Sequence, residues 1–176
     1  IKHIMRKREA DVATDAHAIA VWHLKTDLPL DYSPLGHNTL LTATSHHLVL
    51  SSCSRNTVPD IERFNFLGKA GNPVWIIPQI NTEGVPFMGF NSHLTPIEIF
   101  EQDSFNVQLT TVRAPGDFFI WTSSIDGIDI SYNSSDGLGA LDVMKFPARG
   151  HFHKNLGFNS PGTYNLGFTA VSYTHL

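Results

Sequence analysis

Short runs of Val, Ile, Phe, Thr and Tyr alternate with Pro, Gly, Asn and Ser along most of the chain, and no long stretch carries the 3.6-residue period of an amphipathic helix. In Phe105-Asn106-Val107-Gln108-Leu109 the odd positions are apolar and the even ones polar, so a strand there buries one face and wets the other. Phe118-Phe119-Ile120-Trp121 is apolar on both faces, which predicts a central strand of a layered fold. Trp75, between Val74 and Ile76, reads the same way, so core packing rather than sugar stacking is expected of Trp75 and Trp121. Strands are predicted at Ala18 to Leu24, Thr39 to Thr44, His47 to Ser51, Val74 to Pro78, Phe87 to Gly89, Ile97 to Gln102, Asn106 to Val112, Asp117 to Ser123, Ile128 to Asn133 and Gly162 to Tyr173. About ten short strands imply an all-β chain, an antiparallel β-sandwich of immunoglobulin-like or jelly-roll-like type.

With 176 residues, 41% of them hydrophobic and 16% charged, the chain suits one domain with a sizeable core. That domain is placed at 15–171, between an N-terminal extension at 1–14 and a tail at 172–176 that does not read as native to it. A net charge of -4, with 12 Lys and Arg that form no stripe, argues against nucleic-acid binding. Cys53 is the single cysteine, which excludes an intramolecular disulfide, and no motif supports it as a nucleophile. Lys2, Arg6, Lys7 and Arg8 precede no apolar run, so the first residues do not make a complete secretory signal, and no transmembrane segment is expected.

Chemistry concentrates near the C-terminal end. Residues i and i+2 of a strand share a face, so His151 and His153 can present two imidazoles to one point, which is half of a metal site. Ten histidines in the chain strengthen a metal hypothesis, and zinc would need three or four ligands, for which His17 is the third candidate. The alternative is that both rings only hydrogen-bond to backbone or water, with His17 a surface histidine. Asp126-Gly127-Ile128-Asp129, and Asp136-Gly137 with Asp142, have the carboxylates of calcium loops, but Asp-Gly is foremost a turn signal and turns are expected. Residues 138–149 are read as loop, with a short helical turn capped by Ser135 or Asp136 as the alternative. Pro161-Gly162 fits a tight turn to which Tyr164 can return its hydroxyl, and Asn155 is expected to cap the bend or orient one histidine. There is no G-x-S-x-G, no H-E-x-x-H and no phosphate loop, so no enzyme is expected; metal-assisted hydrolysis at His151 and His153 is the class an enzyme would fall in.

Four ordered blocks carry a family resemblance. His151-x-His153-x-Asn155-Leu156-Gly157-Phe158-x-x-Pro161-Gly162-x-Tyr164 resembles the G-x-H-x-H-x-N-W-G-F-x-x-P-G-x-Y pattern of the actinobacterial surface-anchored repeat domain, also known as the choice-of-anchor M domain, with Leu156 in place of Trp. Phe66-Leu67-Gly68 through Gln79, Gly116-Asp117-Phe118-Phe119-Ile120-Trp121, and Asn133-Ser134-Ser135-Asp136-Gly137 with Asp142 are similar to three further blocks of that family. The likeness covers roughly 64–170. In the N-terminal third, Asp15-Ala16-His17-Ala18-Ile19 stands nearest the family's opening G-H-x-D, with Ile19 where Asp is usual, and the L-H-V-H-D strand has no counterpart.

The resemblance implies an extracellular or cell-surface, non-enzymatic binding or adhesion module. Such proteins are often encoded beside an ABC transporter resembling manganese or zinc importers. This implies zinc or manganese as the bound ion, and an extracellular ligand or a metal-uptake transporter as partner. Two other readings stay open: a glycan-binding module, for which Trp22, Tyr32 and Tyr132 are the ligand-facing candidates, and a purely structural spacer.

Overall fold

The computed structural model describes residues 52–92, 95, 97–98 and 100–171, together with the strand segments 3–4, 18–21, 30–32, 39–41 and 48–50. Fifteen strands follow in chain order: β1 (His3–Ile4), β2 (Ala18–Val21), β3 (Leu30–Tyr32), β4 (Thr39–Leu41), β5 (Leu48–Leu50), β6 (Arg55–Thr57), β7 (Pro73–Ile77), β8 (Met88–Asn91), β9 (Ser104–Arg113), β10 (Phe118–Ser124), β11 (Gly127–Asn133), β12 (Val143–Pro147), β13 (His151–Phe152), β14 (Asn155–Phe158) and β15 (Gly162–Val171). They form three sheets. The first runs β12-β9-β15-β2-β5 with β1 also on β15, the second runs β11-β10-β14-β7-β6, and the third runs β13-β8-β3-β4. The chain is an all-β sandwich, and its pairings are antiparallel except that β15 runs parallel to β2.

The main core lies between the first and second sheets. Phe105, Val107 and Leu109 of β9 and Tyr164, Leu166, Phe168 and Ala170 of β15 meet Phe118 and Ile120 of β10, Leu156 and Phe158 of β14 and Trp75 and Ile77 of β7. The alternation of 105–109 is thus realised as expected, with Asn106 and Gln108 on the wetter face. The second sheet is covered on its other face too. There Phe119 and Trp121 pack with Val74, Val58 and Leu67, the last from the 3-10 turn Glu62–Leu67, whose Phe66 meets both aromatics edge-on at 5.8 Å and 5.5 Å. This second layer explains why 118–121 is apolar on both faces, and Trp75 and Trp121 are buried as the sequence predicts.

The structure departs from expectation in several places. Residues 138–149 hold strand β12, not a loop alone: Met144 and Phe146 point into the core and alternate with exposed Lys145 and Pro147. Pro147 sits where it can do no harm, at the end of an edge strand. Of the strand predicted at Ile97 to Gln102, the described part is bent: Glu98 and Gln102 have positive φ, as does Asp103 just beyond, and a 3-10 turn, Glu101–Asp103, leads into β9. The Ile-x-Ile-Phe spacing imitates a pleat, but the backbone turns through the left-handed region instead. Residues 138–149 carry no helical turn capped by Ser135 or Asp136; the 3-10 turn Ser134–Asp136 precedes them and is capped by Asn133, whose Oδ1 accepts from the Ser135 N–H at 3.1 Å. Among the described residues no helix is long and apolar enough to cross a membrane.

Candidate functional site

The histidine pair is placed by a short edge strand. β13 pairs with β8 through His151↔Asn91 and Phe152↔Phe90. Phe152 is its inward anchor, stacked on Phe90 at 5.5 Å and edge-on to Phe146 at 5.0 Å, so by strand alternation the two flanking histidines turn outward. The approach to the strand is fixed by Ser92, whose N–H donates to the Gly150 carbonyl at 2.9 Å and whose Oγ accepts from the Gly150 N–H at 2.9 Å. Gly150 is required there, because a Cβ would meet Pro147 Cγ at 2.4 Å.

The two rings converge as the i, i+2 spacing predicts. His151 Nε2 and His153 Nε2 lie 3.0 Å apart, and His153 Nδ1 lies 2.7 Å from the Met88 carbonyl oxygen. A carbonyl only accepts, so Nδ1 of His153 is the protonated nitrogen and its Nε2 carries the lone pair. In the neutral pair His151 Nε2–H then donates to His153 Nε2. Phe87 covers the other face of the ring, stacked on His153 at 4.0 Å with 6° between planes. His151 is exposed and His153 half-buried.

This arrangement suits a chelated cation. At a metal–nitrogen distance of about 2.05 Å, a separation of 3.0 Å corresponds to an N–metal–N angle of about 94°, and opening the pair by about 0.3 Å reaches the tetrahedral value. Among the described residues no group of three or more His, Cys, Asp or Glu side chains is placed to hold a metal, so the pair supplies two donors. His17 lies outside the described residues.

The other predicted site residues are structural where they are described. Asn155 does not orient a histidine. Its Oδ1 accepts from the Gln79 N–H at 2.9 Å, and its Nδ2 donates to Gln79 Oε1 at 2.7 Å and to the Trp121 carbonyl at 3.4 Å. The physical reason is its register: Asn155 pairs with Trp121 in the middle of the second sheet, where its amide is taken up by Gln79 and the Trp121 carbonyl. Pro161-Gly162 forms the expected corner, with Gly162 at φ 134. Tyr164 closes it, its hydroxyl donating to the Ser160 carbonyl at 2.9 Å and accepting from the Ser160 N–H at 3.2 Å.

Burial pushes the Tyr164 phenol up to about 12, against a lowering by its Ser160 hydrogen bond and with a smaller upward push from Asp117. Tyr132, a ligand-facing candidate of the glycan-binding reading, is fully buried. Its hydroxyl donates to the Val107 carbonyl at 2.7 Å, and burial, with Asp142 nearby, raises its pKa. Trp22 lies outside the described residues, and Tyr32 falls in β3 with its side chain likewise outside them.

Both Asp-Gly segments are turns. Ser124 pairs with Gly127 across a two-residue hairpin, and the buried Asp142 carboxylate is occupied by the backbone N–H groups of Asn133 at 2.9 Å and Gly139 at 2.7 Å. Phe87, Met88 and Gly89, which surround the imidazoles, were not singled out by sequence. The available signal was a glycine within a predicted strand, a mark of close approach by another group.

No family model, curated protein or solved structure matches the chain.

Proposed function

We propose that the chain is an extracellular or cell-surface, non-enzymatic binding module of the surface-anchored repeat type it resembles, and that it captures a transition-metal ion through His151 and His153. The observation that carries this is the convergence of the two Nε2 atoms to 3.0 Å, with the Nδ1 of His153 committed to the Met88 carbonyl. Metal-bound imidazoles commonly donate their second nitrogen to just such an acceptor, which fixes the tautomer and the ring orientation. An all-nitrogen donor pair suits zinc, copper or nickel better than manganese, which favours carboxylate and water oxygens. Of the two ions the resemblance implies, zinc is therefore the better fit.

Among the described residues two protein donors meet, which leaves coordination positions open, unlike the closed four-ligand set of a structural zinc site. An ion so held can be passed on. That favours capture and delivery, for example to a metal-uptake transporter, over a purely structural role. Calorimetric zinc titration of untagged protein, against the His151→Ala/His153→Ala variant, is the test. Stoichiometric binding lost in the variant supports the reading. Equal heats from both proteins would overturn it and leave the spacer as the function to pursue.

A further inference from the structure

We infer that Phe87 and the first residues of β8, Met88 and Gly89, are a built platform for the histidine pair, with Gly89 and Phe87 as the positioning residues that set how His153 presents its Nε2. The inference rests on the metal reading for its function but on independent geometry for its existence. Three consecutive residues each supply a different constraint on one ring. Phe87 stacks flat against it at 4.0 Å, and the Met88 carbonyl takes its Nδ1–H at 2.7 Å. Gly89 forms the floor: a Cβ there would lie 2.8 Å from His153 Cε1 and 3.2 Å from both His153 Nδ1 and His151 Nε2. Carbon atoms pack at about 3.5–4.0 Å, so any side chain at position 89 displaces one or both imidazoles.

Gly89 is buried within a paired strand, and the atoms its missing Cβ would strike belong only to the two histidines within the three nearest. The vacancy above Gly89 therefore serves the imidazoles rather than the sheet. With stacking on one side, a hydrogen bond at the edge and a bare backbone beneath, His153 is pre-oriented before any ion arrives, and less ordering accompanies binding.

The experiment uses the full chain labelled with nitrogen-15. The tautomer of His153 is read from its ring nitrogen shifts in metal-free protein, and zinc affinity is read by competition with a chromophoric chelator, for wild type, Gly89→Ala and Phe87→Ala. The wild-type ring is expected as the Nδ1–H tautomer. Gly89→Ala is expected to mix the tautomers and weaken zinc by roughly 10- to 100-fold, the range seen when groups supporting a metal ligand are removed. Phe87→Ala, which leaves the β8 backbone unchanged, is expected to weaken it less.

A double-mutant cycle separates positioning from plain strand damage. Gly89→Ala should lower the melting temperature in wild type and leave it nearly unchanged in the His151→Ala/His153→Ala background, where its Cβ has room. A wild-type His153 in the other tautomer, or equal melting losses in both backgrounds, overturns the platform. Failure of wild-type protein to bind zinc overturns the metal reading instead, and the tautomer and the cycle still decide the platform.

Discussion

Two polar clusters arise from residues only four positions apart in the chain, and they are built on opposite plans. Around Asn155 every side-chain polar atom is spent inside the protein: on Gln79 and on the Trp121 carbonyl, while Gln79 in turn donates to the Ser123 carbonyl at 3.0 Å and accepts from the Ser123 N–H at 2.8 Å. That network ties β7, β10 and β14 together beneath the surface. Around His151 and His153 the Nδ1 edge of His153 is held by the Met88 carbonyl, and the two Nε2 atoms converge on each other at 3.0 Å at a strand end where His151 is exposed. A closed polar network is a fastening, whereas two converging imidazole nitrogens at a strand end are a place where an ion can replace the proton between them. Residue type alone does not make the distinction; what matters is how many of the polar atoms already have protein partners.

The contrast breaks most visibly at Asn155. Asn155→Leu would strip partners from Gln79 and from a buried carbonyl, and a loss of about 2–4 kcal/mol in urea-unfolding stability is expected, since each buried group left unpaired costs about 1–3 kcal/mol. Wild-type stability in that variant would mean the network is not a fastening at all.

Tyr164→Phe comes next, with about 1–2 kcal/mol expected from the loss of the Ser160 hydrogen bonds, and it carries a signature in pH. The unfolded phenol loses its proton near 10 and the folded one near 12, so between these values the unfolded chain binds fewer protons and stability falls as pH rises. The tyrosine's contribution is therefore complete below pH 10 and lost on passing through 12. Denaturant melts at pH 8 and pH 11 should show a smaller alkaline loss in the phenylalanine variant than in wild type.

At the histidine pair, His151→Ala/His153→Ala removes the half-buried His153 ring and its hydrogen bond to Met88, so a loss of about 1 kcal/mol is expected, while zinc binding is abolished. A large stability loss would make the pair another fastening. Smallest of all is Lys154→Met, beside the pair. Its ammonium donates to Thr122 Oγ1 at 2.8 Å and reaches a largely exposed Asp129 at 3.5 Å, and exposed ion pairs contribute about 0–1 kcal/mol, so thermal melts should barely move.

The layered β architecture was legible because burial alternates with the pleat. β9 and β10 announce their faces in their own side chains, and so do the two tryptophans. β14 was not legible. In Asn155-Leu156-Gly157-Phe158 the inward residues are apolar, but the outward ones are an asparagine and a glycine, which read as turn residues. Gly157 is there because the Trp121 ring lies over it, where a Cβ would meet Cζ3 at 2.8 Å. The reason for that glycine sits on another strand, so no local pattern reports it.

The same holds for the site. The spacing of His151 and His153 foretold that two rings would share a side. What holds them there is contributed from β8, far back along the chain, and strand pairing rather than sequence proximity brings Gly89 beneath them. Tyr132 misled for a related reason: tyrosine fits either a wet face or a core with an acceptor in reach, and here the acceptor is the Val107 carbonyl across the sandwich.

The position of β15 has a consequence for the order in which the protein forms. This strand lies at the centre of the first sheet, with β9 along one side and β2, parallel to it, along the other, and Gly162 beside Ala18. During synthesis β2 and β5 emerge from the ribosome long before the strand that joins them to β9 exists. The second sheet needs nothing beyond Phe158 and can assemble earlier. The pairing of β15 with β2 thus spans most of the chain between them, and contacts of such long sequence separation are the slow ones to form.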